Sequence, residues 1–140
     1  MKKEYYEYQM MVTFGDTNAM QNLYFAEYFK IQGTVRERWV YDCIPGALDN
    51  IQNGMILSTK SAHCDFMKNF YPFETLLCRM HTEELRKVRV KLVFEFFNKA
   101  TMDLHAIGWQ TIVFKDQNRK TIKMPQNFWD AGKRFLWEPE

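Results

Sequence analysis

Arg36 raises a chemical question through its placement. Set on a helical wheel at about 100° per residue, the stretch from Asn22 to about Tyr41 gathers Ile31, Tyr24, Val35, Tyr28, Trp39, Gln32, Phe25, Arg36, Phe29 and Val40 into one arc. Gly33, Ala26, Glu37, Lys30, Thr34, Glu27 and Arg38 fall opposite. Gln32 and Arg36 thus lie inside an otherwise apolar face, whereas Arg38 sits where a solvated arginine belongs. A guanidinium cannot shed its charge inside a protein, so a core-facing one needs a carboxylate, carbonyls or a bound anion close by. Either Arg36 pairs with a sheet carboxylate or snorkels past the helix end, or it holds an anionic ligand. Tyr28, one turn before Gln32 and two before Arg36, offers a hydroxyl to substrate or water on the same arc, or packs in the core with the neighbouring aromatics.

Other chemistries have little support. His63, His81 and His105 fall in predicted strands without the spacing of a zinc site, and read as ordinary surface or half-buried histidines. His63 and Cys64 are adjacent, which sends their side chains to opposite faces of a strand and argues against a dyad within that pair. A Gly-x-Ser-x-Gly elbow is absent, as are phosphate-binding and dinucleotide glycine patterns, so neither a metal nor a cofactor is implied. A net charge of +2 is too mild for a nucleic-acid partner. No membrane span or signal peptide is evident, and Cys43, Cys64 and Cys78 fit reduced thiols, which together suggest a cytoplasmic protein. The run from Lys115 to Arg134, with six basic residues against Asp116 and Asp130, reads as a solvated face or as a surface for an acidic carrier protein or coenzyme A phosphates.

The elements that must position Arg36 are one helix and a set of strands. Tyr5 to Phe14 alternates loosely as a strand, Gly15 to Gln21 is a polar loop, and Pro45 with Gly46 ends the helix near Asp42. Ile44 to Gly54 reads as a connecting loop. Strands follow at Met55 to Phe66, Thr75 to Arg86, Val88 to Asn98 and Met102 to Lys115, the third with Val88, Val90, Leu92, Phe94 and Phe96 on one face. A short strand at Thr121 to Met124 and a helical tail from Gln126 to Leu136 complete a single 140-residue domain of the α+β class. With 46% hydrophobic and 16% aromatic residues there is ample bulk for its core.

The segment DTNAMQNLYFAEYFKIQGTVRE resembles the active-site segment of hotdog-fold thioesterases of the 4-hydroxybenzoyl-CoA thioesterase type, most nearly those of enediyne polyketide biosynthesis. The shared features are Thr17-Asn18, the Asn22-Leu23-Tyr24-Phe25 opening of the helix, and Arg36-Glu37; HCDFMKNFYPFETLLCRM and KMPQNF extend the likeness along the chain. The resemblance implies a long central helix wrapped by a five- or six-stranded antiparallel sheet, assembled as a homodimer or a dimer of dimers, that is, a homotetramer. It further implies hydrolysis of a β-ketoacyl thioester on an acyl carrier protein, after which the acid can decarboxylate to a methyl ketone. A general acyl-CoA thioesterase and a non-catalytic acyl-thioester-binding module are the alternatives.

In the broader family the position of Asn18 is usually an aspartate acting as base or nucleophile. An asparagine can do neither, but its amide can orient water or hold an oxyanion or enolate. On this likeness Asn18, Arg36 and the backbone amide of Phe25 are the expected catalytic groups, the last because a helix start presents free N–H groups and partial positive charge. Asn22, Tyr24, Tyr28 and Gln32 are the expected substrate-binding residues. Asp16 is expected to stabilise the loop. Where the family commonly has glycine, this chain has Gln21, which must bear strain if that position takes a positive φ.

Overall fold

A computed structural model describes residues 3–138. Its elements run β1 (Tyr6–Met11), α1 (Phe25–Cys43), α2 (Ala47–Gln52), β2 (Ile56–Phe66), β3 (Thr75–Glu83), β4 (Arg89–Asn98), β5 (Leu104–Lys115) and α3 (Gln126–Arg134). The five strands form one sheet in the order β1-β3-β4-β5-β2, every neighbouring pair antiparallel. β1 and β2 are its edges.

Strand alternation makes the core. In β4 the even residues Val90, Leu92, Phe94 and Phe96 are at most 2% exposed, all sharing one face of the pleat. α1 lays Tyr28, Ile31, Gln32, Val35, Trp39 and Val40 in the interior, the stripe expected from its 3.6-residue period. Each large apolar side chain taken out of water there contributes about 1.5–3 kcal/mol before chain entropy is counted. β5 departs from the pattern. Its buried parity reads Ala106, Gly108, Gln110, Ile112 and Phe114, so a glycine and a glutamine interrupt the apolar row where it faces Gln32.

Several boundaries differ from the sequence expectation. α1 begins at Phe25 rather than Asn22 because residues before it are held extended: Leu23 N–H donates to the Phe70 carbonyl, Tyr24 N–H to that of Asp16, and Thr17 bridges Leu23. The expected loop after α1 contains α2, a six-residue helix entered through Gly46 at φ 79°. Val88 lies before β4 and is 40% exposed, because Arg86 N–H closes a turn onto the Arg89 carbonyl. Thr121 to Met124 is no sixth strand; Thr121 makes one isolated bridge to Lys115.

Candidate active site

The Arg36 side chain is 13% exposed and lies between α1 and the β2 edge of the sheet. Its Nη1 donates to Thr59 Oγ1 at 2.6 Å and to Gln110 Oε1 at 3.2 Å. Among the described residues Glu37 is the one carboxylate within ion-pair reach, at 3.6 Å from Nη2, and that carboxylate is largely in solvent. The Nε atom is buried without a partner among the described residues. A fork of five donors therefore meets two neutral oxygens and one distant, screened charge, which leaves it underused for a buried cation. The guanidinium also lines a groove of about 550 Å³ between the second half of α1, α2 and β2.

What aims Arg36 is a row of amides with forced orientation. Gln32 is fully buried, and its Nε2 donates to the His63 carbonyl, a group that can only accept. Its Oε1 must then face Gln110, which donates to it through Nε2 at 3.1 Å. Gln110 in turn can only offer Oε1 to Arg36. The sequence allows this close stacking through Gly108: a Cβ there would lie 2.2 Å from Gln32 Nε2 and 2.7 Å from the His63 oxygen. A register shift in β2 between Thr59 and Ser61 adjusts the same strand beside the guanidinium.

The other part of the expected site is the loop at the start of α1. Asn18 N–H donates to the Asn22 carbonyl and Gln21 N–H to the Asn18 carbonyl, folding residues 18–22 into a tight turn. Met20 N–H donates to Asn18 Oδ1 at 2.9 Å, which settles which end of that amide is oxygen and leaves Nδ2 as a donor with no partner among the described residues. The Phe25 amide likewise meets no acceptor among the described residues, as befits a first helical turn. Gln21 stands at φ 63°, the left-handed conformation that glycine would occupy without penalty. Asp16 accepts from the backbone and hydroxyl of Thr13. The loop thus holds its carboxylate as a structural group.

A family model for the thioesterase-like superfamily matches residues 12–132. The chain belongs to that superfamily. No curated protein matches it. Among solved structures, the dynemicin thioesterase, described through its induced-fit response to polyene binding, is 28% identical over 96% of this chain and 99% of that one, with a TM-score of 0.89. A Staphylococcus aureus protein in complex with coenzyme A is 15% identical (96% of this chain, 85% of that one, TM-score 0.88). A 1,4-dihydroxy-2-naphthoyl-CoA thioesterase from Synechocystis is 19% identical (93% and 96%, TM-score 0.84). At such identities the last two speak for the fold alone. That fold is the hotdog, and the resemblance noted in the helix-opening segment extends to the family and to the dynemicin thioesterase. Family membership supports thioester hydrolysis.

The remaining expected residues of this thioesterase-like chain divide by environment. Gln32 is buried in the amide row and is joined to Arg36 through Gln110. Tyr28 is 3% exposed, edge-on to Phe66 and Phe96, and burial raises its hydroxyl pKa above the ordinary value. It packs in the core. Tyr24 and Phe25 are 43% and 57% exposed with their rings 4.8 Å apart, and Asn22 is half-buried with its carbonyl in the loop. Thr59 and Gln110 are contacts that sequence reasoning missed; a glutamine on the buried parity of an apolar strand was the available signal.

No thiol here is set up as a nucleophile. Burial pushes the Cys64 thiol up to about 12, raises Cys43, and raises the fully enclosed Cys78 well above its ordinary value. His63 pairs with Asp65 at 2.9 Å and stacks on Trp109; His81 pairs with Glu83 at 2.8 Å and stacks on Trp137. Among the described residues no cluster of His, Cys, Asp or Glu could hold a metal ion, and no helix is long and apolar enough to cross a membrane.

Proposed function

We propose that this protein hydrolyses a β-ketoacyl thioester carried on acyl carrier protein or coenzyme A. The observation that carries the reading is Arg36, a mostly buried cation with donor capacity to spare, opening on an apolar groove. Hydrolysis places water oxygen on the thioester carbon, develops negative charge on its carbonyl oxygen, and releases the thiol as the C–S bond breaks. The Phe25 amide supplies a donor to that developing oxyanion and Asn18 Nδ2 a donor to water or an enolate. Arg36 holds the β-keto oxygen and then the liberated carboxylate. Asn18 is itself no base, so the acidity of the β-ketoacyl group has to assist, and the resulting β-keto acid can lose carbon dioxide to give a methyl ketone.

Within one chain these groups cannot share a carbonyl pair. Arg36 lies eleven helical positions beyond Phe25, about 16 Å along the axis, whereas a thioester carbonyl and its β-keto group are only two bonds apart along the chain. The reading therefore requires two protomers, with the start of one α1 beside the partner subunit's Arg36. An open, 11-residue edge strand, β2, supports such self-association, as a dimer or a dimer of dimers. The basic run near the C-terminus supports docking of an acidic carrier in part: Arg119, Lys120, Lys123 and Lys133 are exposed, while Arg134 is engaged with Glu4 at 2.9 Å.

The test is thiol release from matched β-ketoacyl and saturated acyl thioesters of pantetheine, coenzyme A and carrier protein. Preferential turnover of the β-ketoacyl compounds is expected. Equal turnover would indicate a general acyl thioesterase, and tight binding of a non-hydrolysable analogue without turnover would indicate a binding module, a reading that the unbasic Asn18 favours.

A further inference from the structure

Arg36 and Glu37 are adjacent in sequence and differ sharply in surroundings. The arginine side chain is 13% exposed and the glutamate 72%, with 3.6 Å between Nη2 and Oε1. Nη1 is committed to the neutral oxygens of Thr59 and Gln110, so the formal charge that Arg36 meets among the described residues is that of Glu37. This arrangement bears on what leaves the site. Hydrolysis turns a thioester with neutral oxygens into a carboxylate, and a guanidinium with donors to spare holds an anion more tightly than a ketone oxygen. Alone, Arg36 would retain product in preference to substrate.

We infer that Glu37 is a positioning residue that sets the charge preference of Arg36 and drives release of the carboxylate product. The inference rests on the thioesterase reading above and deepens it. A neutral carbonyl oxygen shares the guanidinium with Glu37 without repulsion. A carboxylate has to approach against the charge of Glu37 or displace it. The exposure of Glu37 suits this part: a buried partner would neutralise Arg36 outright, whereas a solvated one biases the choice and leaves the fork of donors open. Glu37 acts through Arg36 and touches no reacting atom. Its effect is therefore confined to charged ligands.

The test is Glu37→Gln, which keeps size and helix preference at an exposed position and so retains the fold. Octanoate and octanamide, equal in length and different in charge, are titrated directly and used as inhibitors of β-ketooctanoyl-pantetheine hydrolysis. The expected result is octanoate binding about two- to fivefold tighter, inhibition deepened by the same factor, and both octanamide affinity and the KM of the thioester changed less. That gain should shrink as salt rises from about 0.05 to about 0.5 M, since a solvated charge is screened. Equal tightening of both probes, an unaltered octanoate affinity, a gain indifferent to salt, or no octanoate binding by either protein would overturn the inference. So would an equal gain from Asp49→Asn, a groove carboxylate with no ion pair to Arg36 among the described residues. The thioesterase reading fails separately: a chain that turns over no thioester yet shows the octanoate shift loses that reading and keeps this one.

Discussion

The start of α1 and the Arg36 station three turns along it are built by opposite means. The first is a backbone construction: Asn18, Gln21, Leu23 and Tyr24 are all fixed by main-chain hydrogen bonds, and the groups left over, the Phe25 amide and Asn18 Nδ2, meet no acceptor among the described residues. The second is a side-chain construction, in which Arg36 takes its aim from Gln110, Gln110 from Gln32, and Gln32 from a strand carbonyl that only a glycine lets it approach. Backbone stations tolerate substitution. A row of forced amides does not, because each member orients the next and a buried amide left unpaired costs about 1–3 kcal/mol.

The largest expected effect separates charge from fold at the second station. Arg36→Met keeps the aliphatic stem but leaves the buried Gln110 Oε1 without its donor, so turnover should fall about a hundredfold or more while the fold survives with a stability loss of at most about 1–3 kcal/mol. Thiol-release kinetics and thermal unfolding on the same samples check both halves; retained turnover would remove Arg36 from the mechanism. Next comes Gly108→Ala, which touches no substrate. Its Cβ collides with Gln32 and the His63 carbonyl, and a destabilisation of about 1–3 kcal/mol is expected together with a loss of turnover approaching that of the arginine variant. Unchanged kinetics would show that the amide row does not position Arg36.

The first station should respond much less. Gln21→Gly relieves a left-handed residue, and a gain near 1 kcal/mol, reduced by the greater freedom of glycine in the unfolded chain, should appear in denaturant titration with turnover intact. The smallest effect lies away from both. Glu95 is raised above its ordinary value of 4.5, first by burial, with His81 and Arg79 opposing and Glu83 adding. An acid whose folded pKa exceeds its unfolded one binds protons more tightly when folded, so its contribution favours the fold below pH 4.5 and declines as pH rises through the folded value. Glu95→Gln should therefore match wild type in acid and be slightly more stable at neutral pH, as unfolding titrations at the two pH values would show.

Which parts of this were legible in the sequence follows from periodicity. The helix, all five strands and the odd inward placement of Gln32 and Arg36 stand out because apolar repeats near 3.6 and 2 run through them, most clearly in α1 and β4. α2 does not, since six residues rich in Asp, Asn and Gln, entered from Pro45-Gly46, carry no buried stripe and look like a loop. Asn22 to Tyr24 read as helix because their tethers to Asp16 and Phe70 are tertiary. The partners of Arg36 were hidden for the same reason: Thr59 and Gln110 are 23 and 74 residues away, and only strand register brings them together. Tyr28, which could offer a hydroxyl or pack in the core, is enclosed because Phe66, Phe70 and Phe96 converge on it from three other segments.

Both stations act on one thioester only if two chains meet, and mixing two disabled variants tests this directly. Asn18→Ala and Arg36→Met proteins are purified separately, combined, exchanged through mild denaturant and assayed. Random pairing makes half the dimers mixed, each with one intact site of two, so activity should return to roughly a quarter of wild type. A mixture no more active than its components, with exchange verified by mass-tagged chains, would contradict a site shared between subunits.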